Sequence, residues 1–136
     1  MNKIIVLDTS ILFSAMLSEH SSARAILLDD DFTFYCPNYL VLEIYKHKER
    51  LMRKAKSDDD DVYDFLNKIL QKIHFFNEAL ILIEKAFEAY YLCRDIDEND
   101  TPFIALTLHL EAKFWTKDDI LKNGLLKKGF TAFFEP

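Results

Sequence analysis

The chain alternates between short unbroken apolar runs and longer stretches in which apolar residues recur every three or four positions. Ile4-Ile5-Val6-Leu7 is continuous and β-branched, which predicts a buried strand over residues 3–8. Ser10 can cap a helix behind it, and Ser21 or Ser22 can start another to about Leu28. Asp29-Asp30-Asp31 belongs in the following turn, because acids at a helix C-terminus oppose its dipole. Thr33-Phe34-Tyr35-Cys36 reads as a second strand, ended by Pro37. Asn38 can then cap a long helix to about Lys56, with Leu40, Ile44 and Leu51 on its apolar face and Val41 on the flank. Ser57 and the acids Asp58–Asp61 open a further helix to about Lys72, whose buried stripe is Val62, Phe65, Leu66, Ile69 and Ile73.

His74-Phe75-Phe76 makes a brief strand, and a helix from about Leu80 to Arg94 carries Ile83, Phe87, Tyr90 and Tyr91. Asp97–Asn99 form a polar turn. Thr101-Pro102 begins a helix that is apolar almost all round to Leu110, as a buried helix would be. Glu111-Ala112 turns the chain into a strand over 113–116. Asp118 or Asp119 caps a last helix to about Lys127, with Gly129 as its C-terminal cap and Thr131–Phe134 as a closing edge strand. Strands that alternate with helices predict an α/β fold: a mainly parallel sheet of about four or five strands with helices on both faces.

A length of 136 residues predicts one domain spanning the whole chain, and 50% hydrophobic residues with twelve Phe supply a core. The chain has two Gly, neither before residue 124, so Gly-rich phosphate and dinucleotide loops are excluded. A net charge of −6 argues against holding nucleic acid by charge alone, though bound metal would offset carboxylates locally. Cys36 and Cys93 fit no zinc or redox spacing and read as free buried thiols in a reducing compartment. No targeting segment or membrane span is apparent, so the cytoplasm is expected.

Candidate chemistry lies in Asp8, Glu43, Asp100 and Asp118. In open parallel sheets ligands bind beyond the carboxyl ends of the strands. Asp8 and Asp118 leave two strands there, Asp100 opens a helix beside that edge, and Glu43 borders the apolar face of its own helix. Oxygen ligands without His or Cys suit Mg²⁺ or Mn²⁺ rather than zinc. The histidines at 20, 47, 74 and 109 show no metal spacing, and no nucleophile elbow is present. The run 58–61 lacks the Gly and Glu spacing of a calcium loop and reads as a solvated helix start. The Phe pairs at 75–76 and 133–134 read as core.

These residues resemble a known family. Ile4-Ile5-Val6-Leu7-Asp8-Thr9-Ser10-Ile11-Leu12 is similar to the opening of a PIN domain, a compact metal-dependent ribonuclease fold. Pro37 to Glu43, Asp97 to Leu106 and Phe114 to Asp118 resemble its second, third and fourth signatures, in order and across nearly the whole chain. The resemblance implies a three-layer α/β/α sandwich, often dimeric. It implies that Asp8, Glu43, Asp100 and Asp118 bind the metal and carry catalysis, with Asp97 as an auxiliary ligand and Thr116 orienting Asp118. Ser10 stands where many members carry Asn, a residue that supports the first Asp.

The function so implied is Mg²⁺- or Mn²⁺-dependent hydrolysis of RNA. Many bacterial members are toxins paired with an antitoxin protein. The alternative is a catalytically silent PIN-like module that binds RNA or a protein partner. Lys46, Arg50 and Arg53, within the basic run 46–56, and Lys117 beside Asp118 are candidates for an RNA-backbone track, with a solvated helix face as the other reading.

Overall fold

The computed structural model describes residues 3–17, 21–54 and 59–136. Four strands, β1 (Lys3–Leu7), β2 (Phe32–Pro37), β3 (Ile73–Phe76) and β4 (Lys113–Trp115), form one sheet in the order β3-β2-β1-β4. Every neighbouring pair is parallel, as the strand–helix alternation requires. β1 lies inside the sheet, and its Ile5, Val6 and Leu7 are fully buried. Its register against β4 sets Ile5 opposite Lys113, Val6 opposite Phe114 and Leu7 opposite Trp115. The next residue on each strand, Asp8 and Thr116, therefore emerges side by side.

The helices α1 (Thr9–Leu17), α2 (Ser22–Leu27), α3 (Tyr39–Lys54), α4 (Asp59–Lys72), α5 (Ile83–Cys93), α6 (Thr101–Leu110) and α7 (Asp119–Lys127) flank the sheet. α6 packs directly on β1, β2 and β4, with α5 laid against it. Phe103 through Thr107 are all buried, which explains why this helix is apolar on every side. α1 packs with α2, α3 and α4. The α4 stripe is buried as its periodicity predicts, at Val62, Phe65 and Ile69, continuing into Ile73 of β3. Among the described residues, no helix is long and apolar enough to cross a membrane. Both cysteines are free and buried.

Several local expectations change. α1 begins at Thr9 and is capped by Asp8 rather than Ser10: Asp8 Oδ1 accepts from the N–H groups of Ser10 (3.1 Å) and Ile11 (3.4 Å). The first N–H groups of the α3 segment are met from far along the chain, because the Glu78 carboxylate accepts from Asn38 N at 2.9 Å and Tyr39 N at 3.0 Å. Glu78 opens a 3₁₀ turn (Glu78–Leu80), so α5 starts three residues later than its apolar pattern suggests.

α5 also turns outward. Its small residues Ala89 and Cys93 are buried, whereas Ile83 is 73% and Phe87 58% exposed. Val41 and Phe75 likewise face solvent, so Phe75 is not core. The closing segment Thr131–Phe134 forms a single bridge, Phe114 to Phe133, rather than a strand. Phe114 gives its N–H to Ala132 O at 2.8 Å and accepts Phe134 N at 2.9 Å, and a three-residue β4 offers little more edge to extend the pairing. Gly129 ends α7 with φ 92°, a conformation that suits glycine. The expected cap at Ser57, the helix end at Lys56 and His20 lie outside the described residues.

Candidate functional site

Asp8 leaves the central strand and is 4% exposed. Its carboxylate is fixed on both oxygens. Ser10 Oγ donates to Oδ1 at 2.5 Å and Thr116 Oγ1 donates to Oδ2 at 2.5 Å. The Ser10 hydroxyl also accepts the backbone N–H of Lys117 at 2.9 Å, and the Thr116 hydroxyl accepts that of Asp118 at 3.0 Å. Two small hydroxyls thus stitch the end of β1 to the segment after β4. Asp118, in turn, caps α7 by accepting Leu121 N on Oδ1 at 3.1 Å. Capping and site-building coexist here, since each Asp uses Oδ1 for its helix.

Glu43 reaches the same region from α3. It is half-buried, and Thr9 Oγ1 donates to its Oε1 at 2.8 Å. Asp100 ends a 3₁₀ turn (Glu98–Asp100) that Asp97 caps, its Oδ1 accepting Asn99 N at 3.0 Å. Asp100 directly precedes α6, so the most buried helix of the fold presents a carboxylate at its N-terminal end, where the dipole favours negative charge.

The electrostatics tie these acids together. Burial raises the pKa of Asp100 to about 7, and the charges of Asp8, Asp97, Glu43 and Asp118 push it the same way, in that order. Burial also raises Asp8 to about 6 against the opposing hydrogen bonds from Ser10 and Thr116. Glu43 is pushed up by burial, an effect countered by Thr9, His47 and Lys46. Carboxylates from four segments of the chain therefore share one field.

Their donor set is all oxygen, which fits a hard divalent cation, and a cation would relieve the mutual repulsion felt at Asp100. Among the described residues, no three His, Cys, Asp or Glu side chains close around a common point.

The basic candidates come from α3 and from the segment before α7. Lys46, Arg50 and Arg53 run along the exposed side of α3, with Lys46 Nζ 6.0 Å from the Tyr39 ring centre and Arg50 Nη2 3.4 Å from His47 Nδ1. Lys117 is exposed next to Asp118. Thr9 and His47 were not among the expected site residues, although both act on Glu43. Thr9 directly follows Asp8, and His47 stands one helical turn after Glu43. Those positions are the only sequence signals of their roles.

A protein-family model described as PIN domain matches residues 6–131. No curated protein matches the chain in sequence. Among solved structures, the chain resembles one in the crystal structure of VapBC2 from Rickettsia felis bound to a DNA fragment from their promoter. The TM-score is 0.65 at 17% identity, over 88% of this chain and 92% of that one. That likeness is one of fold. The family model covers all four acid-bearing segments, and on that match the chain belongs to the PIN-domain family.

Proposed function

We propose that the chain is a Mg²⁺- or Mn²⁺-dependent endoribonuclease. The observation that carries this reading is the buried Asp8 carboxylate at the end of β1, hydrogen-bonded by Ser10 and by Thr116 of the segment that leads into Asp118. Asp8, Asp100 and Asp118 would hold the ion, with Glu43 and Asp97 beside them. An ion in such a site lowers the pKa of a bound water and polarises a phosphoryl oxygen.

The chain's own residues do the positioning. Ser10 and Thr116 keep Asp8 ionisable and fixed, and the same hydroxyls hold the backbone of Lys117 and Asp118. Glu43, oriented by Thr9, is placed to align the attacking water and take its proton. In-line attack on phosphorus then breaks the bond to the ribose 3′ oxygen, which leaves with a proton, and the other product keeps a 5′-phosphate. No side-chain nucleophile is needed.

Asp8→Asn tests this. With folding verified by circular dichroism, Mn²⁺-dependent cleavage of a pooled RNA should fall by about 100-fold or more. Undiminished cleavage would sink the assignment.

One rival reading is a catalytically silent module that binds RNA or a protein. A chelator-reversible thermal shift with Mn²⁺, without cleavage of any RNA, would establish the rival.

The reading extends to a cytoplasmic toxin held by an antitoxin, supported by the fold shared with the VapBC2 chain. It extends also to a homodimer, supported by the large apolar side chains that α5 leaves in water. A small DNA-binding protein encoded immediately upstream would support the toxin assignment, and sedimentation would report the dimer.

A further inference from the structure

The turn that carries Asp97 and Asp100 has a second use. Glu98, Asn99, Thr101 and Pro102, interleaved with or following those acids, line a recess of about 400 Å³ completed in part by Tyr90 of α5 and by Glu78. No Lys, Arg or His lines it. The Glu78 carboxylate is already engaged with the N–H groups of Asn38 and Tyr39. Glu98 is exposed, and Tyr90 is 43% exposed, which leaves ring surface accessible. The Thr101 hydroxyl is buried without a nitrogen or oxygen partner and lies against the Cys93 thiol, a weak hydrogen-bonding group.

We propose that this recess receives a guanine, the base of the nucleotide adjoining the scissile phosphate. The inference rests on the RNA-cleaving reading above. A lining with two carboxylates and no cation rejects a phosphate but admits a neutral heterocycle. Tyr90 offers a stacking face and Pro102 an apolar wall. Guanine alone among the four bases presents two adjacent donors, N1–H and N2–H, which a carboxylate accepts in parallel. Adenine, cytosine and uracil each set an acceptor beside their donor, and a carboxylate repels it. Glu98, Asn99, Thr101 and Pro102 alternate in sequence with Asp97 and Asp100, so the recess adjoins the turn at which a phosphate on a cation held by those acids would lie. Pro102 and the partly exposed Tyr90 ring give the recess flat apolar surface, which favours a base over a partner's arginine.

The test uses the full chain, NMR, and the four nucleoside 5′-monophosphates as probes. GMP should shift the signals of Tyr90, Asn99 and Thr101 saturably, at concentrations about tenfold below AMP, CMP or UMP. Glu98→Gln should lower GMP binding about tenfold and narrow that gap. Equal shifts from all four nucleotides, or none, overturn the proposal. So do shifts caused by agmatine at lower concentration than by GMP, which would give the recess to a basic side chain of a protein partner. Mapping cuts in a pooled RNA separates this idea from the catalytic one. Guanine binding without cleavage keeps the base site and sinks the nuclease, whereas cleavage with no guanine enriched beside the cut sinks the base site alone.

Discussion

Thr116 stands 108 positions after Asp8, yet its hydroxyl donates a 2.5 Å hydrogen bond to Asp8 Oδ2. The bond favours the ionised carboxylate against a burial that would keep it protonated. Thr116→Val removes the donor and keeps the shape, so the Asp8 pKa should rise further. The acid limb of the pH–activity profile should then move upward, with activity down about tenfold near pH 6 and much less near pH 8. Thr116→Ser should restore the profile. A uniform loss across pH would assign Thr116 a packing role only.

The metal-free protein should be more stable in acid than at neutral pH with respect to these groups. Asp100 and Asp8 have folded pKa values of about 7 and 6, above the ordinary 3.8. A raised acid binds its proton more tightly when folded, so this contribution is complete below about pH 4 and lost as pH rises through 6 to 7. Asp100→Asn should stabilise the chelated protein at pH 8 by on the order of 1–3 kcal/mol, a figure reduced for partial exposure. Mn²⁺ should stabilise the wild type increasingly over the same pH range. Melting curves in chelator and in Mn²⁺ decide both points, and a flat pH dependence would contradict them.

Glu78 caps the start of α3 from another part of the chain, accepting from Asn38 and Tyr39. Glu78→Ala should cost about 1–2 kcal/mol in a denaturant titration, and Glu78→Gln less. An unchanged midpoint would show that water replaces the carboxylate without penalty.

The exposed basic side of α3 should show itself in salt dependence. Replacing Lys46, Arg50 and Arg53 together by Ala should reduce the slope of log affinity against log salt by about 2 for single-stranded RNA. An unchanged slope would mark these residues as a solvated face.

The strands and helices were legible because their patterns are local. The continuous run before Asp8, the α4 stripe and the all-round apolar α6 each state their burial in their own residues. What was illegible depends on distant partners. Asp8 takes the cap of α1 because Ser10 is occupied by Asp8 and by Lys117 N, and nothing near Ser10 announces that. α5 reads as an ordinary amphipathic helix, but α6 accepts its small side rather than its large one, through Ala89 and Cys93. The candidate acids could be named from their places after strands and at helix starts, and Asp8, Glu43 and Asp118 each meet a hydroxyl or a backbone N–H there. Ser10 and Thr116 could be named beside them, but Thr9, which holds Glu43, could not, since a Thr at a helix start is unremarkable in sequence.

β4 has three residues, and its pairing with β1 sets Trp115 opposite Leu7. A slip of one position would turn Phe114 and Trp115 to opposite faces and separate Thr116 from Asp8. Both aromatic residues are buried whereas Lys113 is exposed, and the core rejects a slip that carries Lys113 into a buried position. The interior thereby acts as a ruler for the rim: a misregistered molecule would reveal itself as poorly packed before Thr116 could settle away from Asp8.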